Sequence, residues 1–148
     1  MGRAIETIVV GVDGSAHAEA ALEMAAEEAF LRKARLVVVC AWRFPTVVDP
    51  AGVVVPESFE GLQDEAEHMV KAAIARVAKL QPQVMCEGRA VAGQPAEVLL
   101  KEAEQADMIV VGSRGRGGFG SLLLGSVGQQ VVHHAHCPVI VVRTIETS

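Results

Sequence analysis

The chain has 148 residues, of which 51% are apolar and 3% aromatic, and it carries a formal net charge of −5. This composition predicts a single folded domain over residues 1–148 and argues against disorder. Scarce aromatic residues and the lack of a basic cluster argue against a nucleic-acid partner. The apolar runs are too short to span a membrane, and the amino-terminal segment is unlike a secretory signal. The three cysteines are widely spaced, as in proteins that keep their thiols reduced. Together these features favour a cytoplasmic protein.

Strands and helices alternate through the first half of the chain. The run Ile8–Val12 (IVVGV) is β-branched and ends at the turn signal DGS, so it predicts the first strand. Apolar residues at helical spacing between Ala18 and Ala29 predict the first helix, and Leu36–Ala41 (LVVVCA) predicts the second strand. The segment Trp42–Phe59 contains three prolines and no sustained period, so we expect a long loop there.

The second half of the chain continues the same alternation. Its predicted elements are a helix over Leu62–Leu80, a strand over Val84–Val91, a helix that starts at Pro95, a strand over Met108–Gly112, a helix between Leu124 and Ala135, and a strand over Pro138–Arg143.

The resulting βαβαβαβαβ pattern predicts an α/β fold, a doubly wound five-stranded parallel sheet with helices on both faces. In such a sheet a ligand lies beyond the carboxyl ends of the strands. Two strand-end loops carry special chemistry here, VDGS after the first strand and GSRGRGG after the fourth. They face one crevice if the strand order is 3-2-1-4-5, an order that periodicity alone does not supply.

Six glycines and two arginines crowd the segment Gly112–Val127. Its Gly115-x-Gly117-x-x-Gly120 pattern matches the dinucleotide fingerprint, but it follows the fourth strand and lacks the later acidic residue that would bind a ribose. A P-loop requires a lysine, and no lysine follows Lys101. Neither familiar nucleotide motif therefore explains these glycines.

A different spacing remains, in which Gly112 and Gly115 are followed, after nine intervening residues, by Gly125 and Ser126. Bare backbone at a strand end forms anion-binding nests, and the start of the next helix offers free amides and a positive dipole end. We expect Ser126 to be the helix N-cap, and the arginines to reach outer phosphates. The alternative is an ordinary glycine-rich turn with a serine cap and solvated arginines.

This loop-to-helix spacing resembles the ATP-binding signature of the universal stress protein family. The stretches IVVGVDGS, PAEVLLKEAEQADMIVVGSRGRGG and HCPVIVVR also look like that family, so the resemblance spans nearly the whole chain. The strand-two end VCAW departs mildly from the family pattern, because Ala41 is smaller than the valine often found there.

The resemblance implies an ATP site, with Mg²⁺ held mainly by phosphates and water. In it Asp13 contacts the adenosine portion, the Ala41 backbone meets adenine, and the glycine loop binds phosphates; Asp13 could instead be only a turn or capping residue. The implied nucleotide-binding residues are Gly11, Val12, Asp13, Ala41, Gly112, Ser113, Arg114, Gly115, Arg116, Gly117, Gly118, Gly125, Ser126 and Val127.

The favoured function is an ATP-binding stress protein whose nucleotide is sensed rather than routinely consumed. No carboxylate, glutamine or histidine lies between Gly112 and Ser126 to act as a base, although slow ATP hydrolysis or phosphoryl transfer stays open. A nucleotide-free dimeric interaction module and an uncharged or cyclic adenine ligand are further alternatives.

Two remaining features concern metals and assembly. His133, His134, His136 and Cys137 are too close in sequence on one helix to converge on an ion, so we expect no metal site. The edge strand Val139–Arg143 is apolar on both faces and has no inward charge to protect it, which predicts a homodimer paired through it unless a loop covers that edge. The family resemblance also points to this dimer.

Overall fold

The computed structural model describes residues 4–43, 46–48, 50–52, 54–56, 59–114 and 124–144. Strands and helices alternate through these residues. Their bounds are β1 Thr7–Gly11, α1 Ala16–Arg32, β2 Arg35–Trp42, β3 Thr46–Val48, β4 Val54–Pro56, α2 Phe59–Leu80, β5 Cys86–Ala92, α3 Pro95–Ala103, β6 Met108–Gly112, α4 Ser126–His134 and β7 Val139–Val142.

Five of the strands form one parallel sheet in the order β5-β2-β1-β6-β7. This confirms the predicted order 3-2-1-4-5 and the doubly wound α/β class. Each predicted strand boundary lies within two residues of the observed one. Strand β1 pairs with β6 from Ile8↔Met108 to Val10↔Val110, so the two loops that follow these strands leave the sheet at the same edge.

The core consists of two layers, one on each face of the sheet. Along β1, Val10 belongs to the cluster under α1 and α2, whereas Val9 belongs to the cluster under α3 and α4. The buried face of α1 is mainly alanine, which lets this helix approach the strands closely. Continuous apolar strands are explained by this double coverage, because both sets of alternating side chains are buried.

The predicted loop Trp42–Phe59 is only partly correct. Its first residue ends β2 and its last residue begins α2, and between them β3 and β4 pair antiparallel with Val47 opposite Val55. Runs of three residues between prolines are too short for a period to be recognised, which is why the sequence did not reveal this two-stranded sheet.

The two edges of the main sheet differ in charge. On β5, Glu87 lies 3.4 Å from Arg35 and Arg89 lies 3.2 Å from Glu102, all as surface ion pairs. The β7 edge is the uncharged run Val139–Val142, whose residues are half-buried. Among the described helices, none has both the length and the apolar character that a membrane crossing requires.

We predict that Gly88→Ala destabilises the fold. An added Cβ would lie 2.5 Å from Cγ1 of Val70 and 3.0 Å from the Val38 carbonyl oxygen, so α2 and β2 would have to move. The free energy of unfolding, measured by urea denaturation, should fall by about 1–3 kcal/mol. Glu87→Ala on the same strand is the control and should cost under about 1 kcal/mol. Equal losses in the two variants would contradict close packing at Gly88.

Candidate functional site

A cleft of about 660 Å³ opens at the carboxyl edge of the sheet. Its lining combines the ends of β1, β2 and β6 with one face of α2 and with the first turns of α3 and α4. This is where a parallel sheet is expected to hold a ligand. Of the implied nucleotide-binding residues, the cleft brings together Gly11, Val12, Asp13, Ala41, Gly112, Arg114, Gly125, Ser126 and Val127.

Asp13 lines the cleft and also orders the turn into α1. Its Oδ1 accepts a hydrogen bond from the Ser15 amide at 2.9 Å, and Ser15 Oγ in turn accepts from the Ala18 amide at 3.2 Å as the N-cap of the helix. Between them Gly14 has φ 84°, a left-handed conformation that suits glycine. The turn role considered for Asp13 is therefore observed, and its position at the cleft leaves the ligand role as a prediction.

Gly112 lies where the end of β6 meets the first turn of α1. A Cβ built on Gly112 would lie 2.8 Å from the carbonyl oxygen of His17 in the first turn of α1. The bare backbone at this position therefore permits a helix, rather than only a ligand, to approach the end of β6.

Ser113 joins the end of β6 to the start of α4. The residue is buried, its amide donates to the Val142 carbonyl at 2.8 Å, and its carbonyl accepts from the Gly125 amide at 2.6 Å. The last of these bonds fixes the beginning of α4 beside the end of β6. Ser113 does not line the cleft, so its observed part is to support the site from beneath.

The first turn of α4 faces the cleft. Gly125 is the N-cap in extended conformation (φ −70°, ψ 169°), and no side chain caps the helix among the described residues. The first intrahelical bond runs from the Gln129 amide to the Gly125 carbonyl at 2.9 Å. The amides of Ser126, Val127 and Gly128 precede that bond, so they lie where helices bind anions.

The predicted N-cap was therefore wrong by one residue. Ser126 is the first residue of the helix, and the N-cap is the residue before it, Gly125. Serine is the commoner cap in general, and that preference suggested Ser126. A glycine cap has no side chain to accept from the first amides of α4, and no other side chain among the described residues caps them.

Arg114 brings a positively charged side chain to this end of the cleft. It is partly exposed and lines the cleft beside the α4 amino terminus. The predicted residues Gly115, Arg116, Gly117 and Gly118 lie outside the described residues.

The residues of α2 and α3 that line the cleft were not predicted from the sequence. Around Ala41 the cleft is lined by α2 through Leu62, Ala66 and Met69, and by Pro95 at the start of α3. The sequence predicted a helix here but gave its apolar residues no part in the site. The helix follows β2, so its first turns must lie at the carboxyl edge, and that topological rule is the signal that could have identified these residues.

Two thiols outside the cleft are held in their neutral form. Burial, with a smaller effect of Glu87, raises the pKa of Cys86 to about 11. Burial also raises the pKa of Cys137, with a further effect of Asp107. Thiols with raised pKa values are poor nucleophiles at neutral pH.

No group of three or more His, Cys, Asp or Glu side chains suited to a metal ion occurs in the part of the chain that the structure describes.

Comparisons with known proteins agree on one family. The model of the universal stress protein family matches residues 4–143. Universal stress protein Rv2623 of Mycobacterium tuberculosis is 39% identical over 136 residues, which are 92% of this chain and 44% of that protein. The chain thus spans less than half the length of the curated relatives that it matches.

Solved structures with the same fold include two nucleotide complexes. A universal stress protein in complex with cAMP has a TM-score of 0.74 at 28% identity, covering 97% of this chain and 100% of that one. The universal stress protein of Archaeoglobus fulgidus in complex with dAMP has a TM-score of 0.68 at 26% identity, covering 94% and 98%.

We predict that Asp13→Ala lowers the free energy of unfolding by about 1 kcal/mol, because the Ser15 amide loses its acceptor. Asp13→Asn keeps an acceptor oxygen in the same place and should retain most of the stability. Chemical denaturation of both variants beside the native protein measures the difference. If asparagine destabilises as much as alanine does, the charge of Asp13 and not this hydrogen bond stabilises the turn.

Proposed function

The chain belongs to the universal stress protein family, and we propose that it binds an adenine nucleotide, ATP, in the cleft at the carboxyl edge of the sheet. In this proposal the nucleotide is a sensed ligand that acts as a switch in a stress response, and it is not a routinely consumed substrate.

The observation that carries the proposal is the open amino terminus of α4. Its first amides, from Ser126 to Gly128, border the cleft without a side-chain cap among the described residues. Converging amides and the positive end of a helix dipole bind phosphate groups. Arg114 at the same end adds a donor for charge-assisted hydrogen bonds to a phosphate. A volume of about 660 Å³ lies within the usual range for ligand sites.

The other end of the cleft suits an adenosine group. The lining here is apolar, with Ala41, Leu62, Met69 and Pro95 among its residues. Apolar walls accommodate a planar base, and a few polar groups fix its orientation. The Asp13 carboxylate could accept hydrogen bonds from ribose hydroxyls. The complexes of two structural neighbours with cAMP and dAMP support an adenine ligand.

Two other functions have a specific observation in their favour. A cyclic adenine nucleotide is favoured by the neighbour in complex with cAMP, although Arg114 better suits a ligand with outer phosphates. Slow ATP hydrolysis is favoured by Gln129 and Gln130, which line the cleft beside the α4 amino terminus, because an amide side chain can orient a water molecule. Mg²⁺ would be held by the phosphates and water, and the described residues offer no dedicated cluster for it.

We also propose a cytoplasmic location. The three cysteines are free, and reducing compartments keep thiols in that state.

We predict that the native protein binds ATP and that Gly125→Val weakens this binding by tenfold or more, about 1.4 kcal/mol. A β-branched side chain at the N-cap would crowd the approach of a phosphate to the first amides of α4. Calorimetric titration with ATP, AMP, cAMP and adenosine measures each affinity, and mass spectrometry under non-denaturing conditions identifies any nucleotide that co-purifies.

The matched control is His133→Val, which places the same side chain on the exposed last turn of α4 and should leave ATP affinity unchanged. Unchanged affinity in a folded Gly125→Val protein would contradict the phosphate site. Tighter binding of cAMP than of ATP by the native protein would favour the cyclic ligand instead.

A homodimer through the Val139–Arg143 strand is the proposed assembly. The hydrogen-bonding edge of β7 is the outer edge of the sheet, and the run Val139–Val142 has no charged side chain to prevent pairing. A two-fold axis beside this edge would pair the β7 strands of two copies, so the assembly would close as a dimer, with a charged β5 strand at each outer edge.

We predict a native dimer by light scattering and a monomer for Val141→Lys, because each copy would bring a charge to the paired edge. Val132→Lys, on the exposed side of α4, is the control and should stay dimeric. Thermal melting checks that both variants are folded. A monomeric native protein contradicts the proposal, and a folded Val141→Lys dimer places the interface elsewhere.

A further inference from the structure

The peptide group between Leu124 and Gly125 is held at both of its polar ends. Its carbonyl, on Leu124, accepts a hydrogen bond from Nε2 of Gln129 at 3.0 Å. Its amide, on Gly125, donates to the Ser113 carbonyl at 2.6 Å. Because a peptide group is planar, two bonds on opposite sides fix its orientation. The direction in which the chain enters α4 is then fixed as well.

The Leu124 side chain reinforces this arrangement. A Cβ on Gly128 would lie 2.7 Å from Cδ1 of Leu124, so the leucine rests on bare backbone in the first turn of the helix. In many helices the residue before the N-cap packs on an apolar residue in the first turn, which fixes the entry angle of the chain. Here Leu124, Gly128 and Gln129 share that task, and we name these three residues the clasp.

The clasp differs from an ordinary cap in the donors that it uses. A serine, threonine or aspartate N-cap accepts a hydrogen bond from the second or third amide of the helix and so removes a donor. The clasp acts instead on the peptide group before the helix. It therefore orders the helix start while Ser126, Val127 and Gly128 line the cleft with no side-chain cap among the described residues.

We propose that the clasp is a positioning device for phosphate binding, with Gln129 as a positioning residue that aims the α4 amides at the ligand. The proposal rests on the proposed function, since it explains how that site is kept both ordered and uncapped. Gln129 is exposed at its surface position, so its replacement removes the bond to Leu124 without opening the core.

The test compares Gln129→Ala with the native protein and with the control His134→Ala, a truncation at the exposed end of the same helix. Calorimetry measures ATP and adenosine affinities. NMR hydrogen exchange in ligand-free protein measures protection of the Gly125 amide, which reports the bond to Ser113. We expect ATP to bind about threefold to tenfold more weakly, the range of one side-chain hydrogen bond. Adenosine affinity should not change, and Gly125 exchange should accelerate.

A second variant, Gly128→Ala, displaces Leu124 and should give the same pattern. The double variant should lose less than the two single losses combined, because both act on one peptide group. Equal losses for ATP and adenosine would overturn the inference, and so would unchanged Gly125 exchange. If the native protein binds neither ligand, the proposed function fails, while Gly125 exchange still decides whether Gln129 orders this peptide group.

Discussion

The arrangement of the cleft depends on the hydrogen bond between the Gly125 amide and the Ser113 carbonyl. This bond ties the start of α4 to the end of β6 at 2.6 Å, although eleven residues separate these two residues in sequence. Ser113 is itself held to the end of β7 through the Val142 carbonyl. A helix amino terminus is thereby brought to the same edge of the sheet as the Asp13 turn and the end of β2.

The glycines of this region have different physical tasks. Gly112 permits the first turn of α1 to approach β6, and Gly128 permits Leu124 to pack on α4. Gly125 caps the helix without a side chain and so leaves the following amides open to the cleft. Only the last of these tasks concerns a ligand directly. A glycine-rich motif in this setting therefore combines close backbone packing with the anion site that we propose at the start of α4.

The sequence was sufficient to locate the strands of the main sheet because most of them are continuous apolar runs separated by amphipathic helices. The exception is β5, which contains Glu87 and Arg89. The sequence was also sufficient to select the two strand-end loops, since the carboxyl ends of parallel strands share an edge. Local rules failed where geometry depends on distant contacts. The N-cap fell on Gly125 and not Ser126 because the carbonyl of Ser113, directly after β6, accepts from the Gly125 amide. The wall formed by Leu62 and Met69 depends on how α2 crosses the sheet, which periodicity does not describe.

We propose above all that phosphate groups bind at the start of α4. The decisive measurement is a titration of ¹⁵N-labelled protein with ATP, followed by amide chemical shifts. We expect the largest shifts at Ser126, Val127 and Gly128, with much smaller ones when adenosine replaces ATP. Shifts near Ala41 and Asp13 should be similar for both ligands. ATP shifts that leave the α4 amides unchanged, or that cluster elsewhere on the molecule, would contradict the claim.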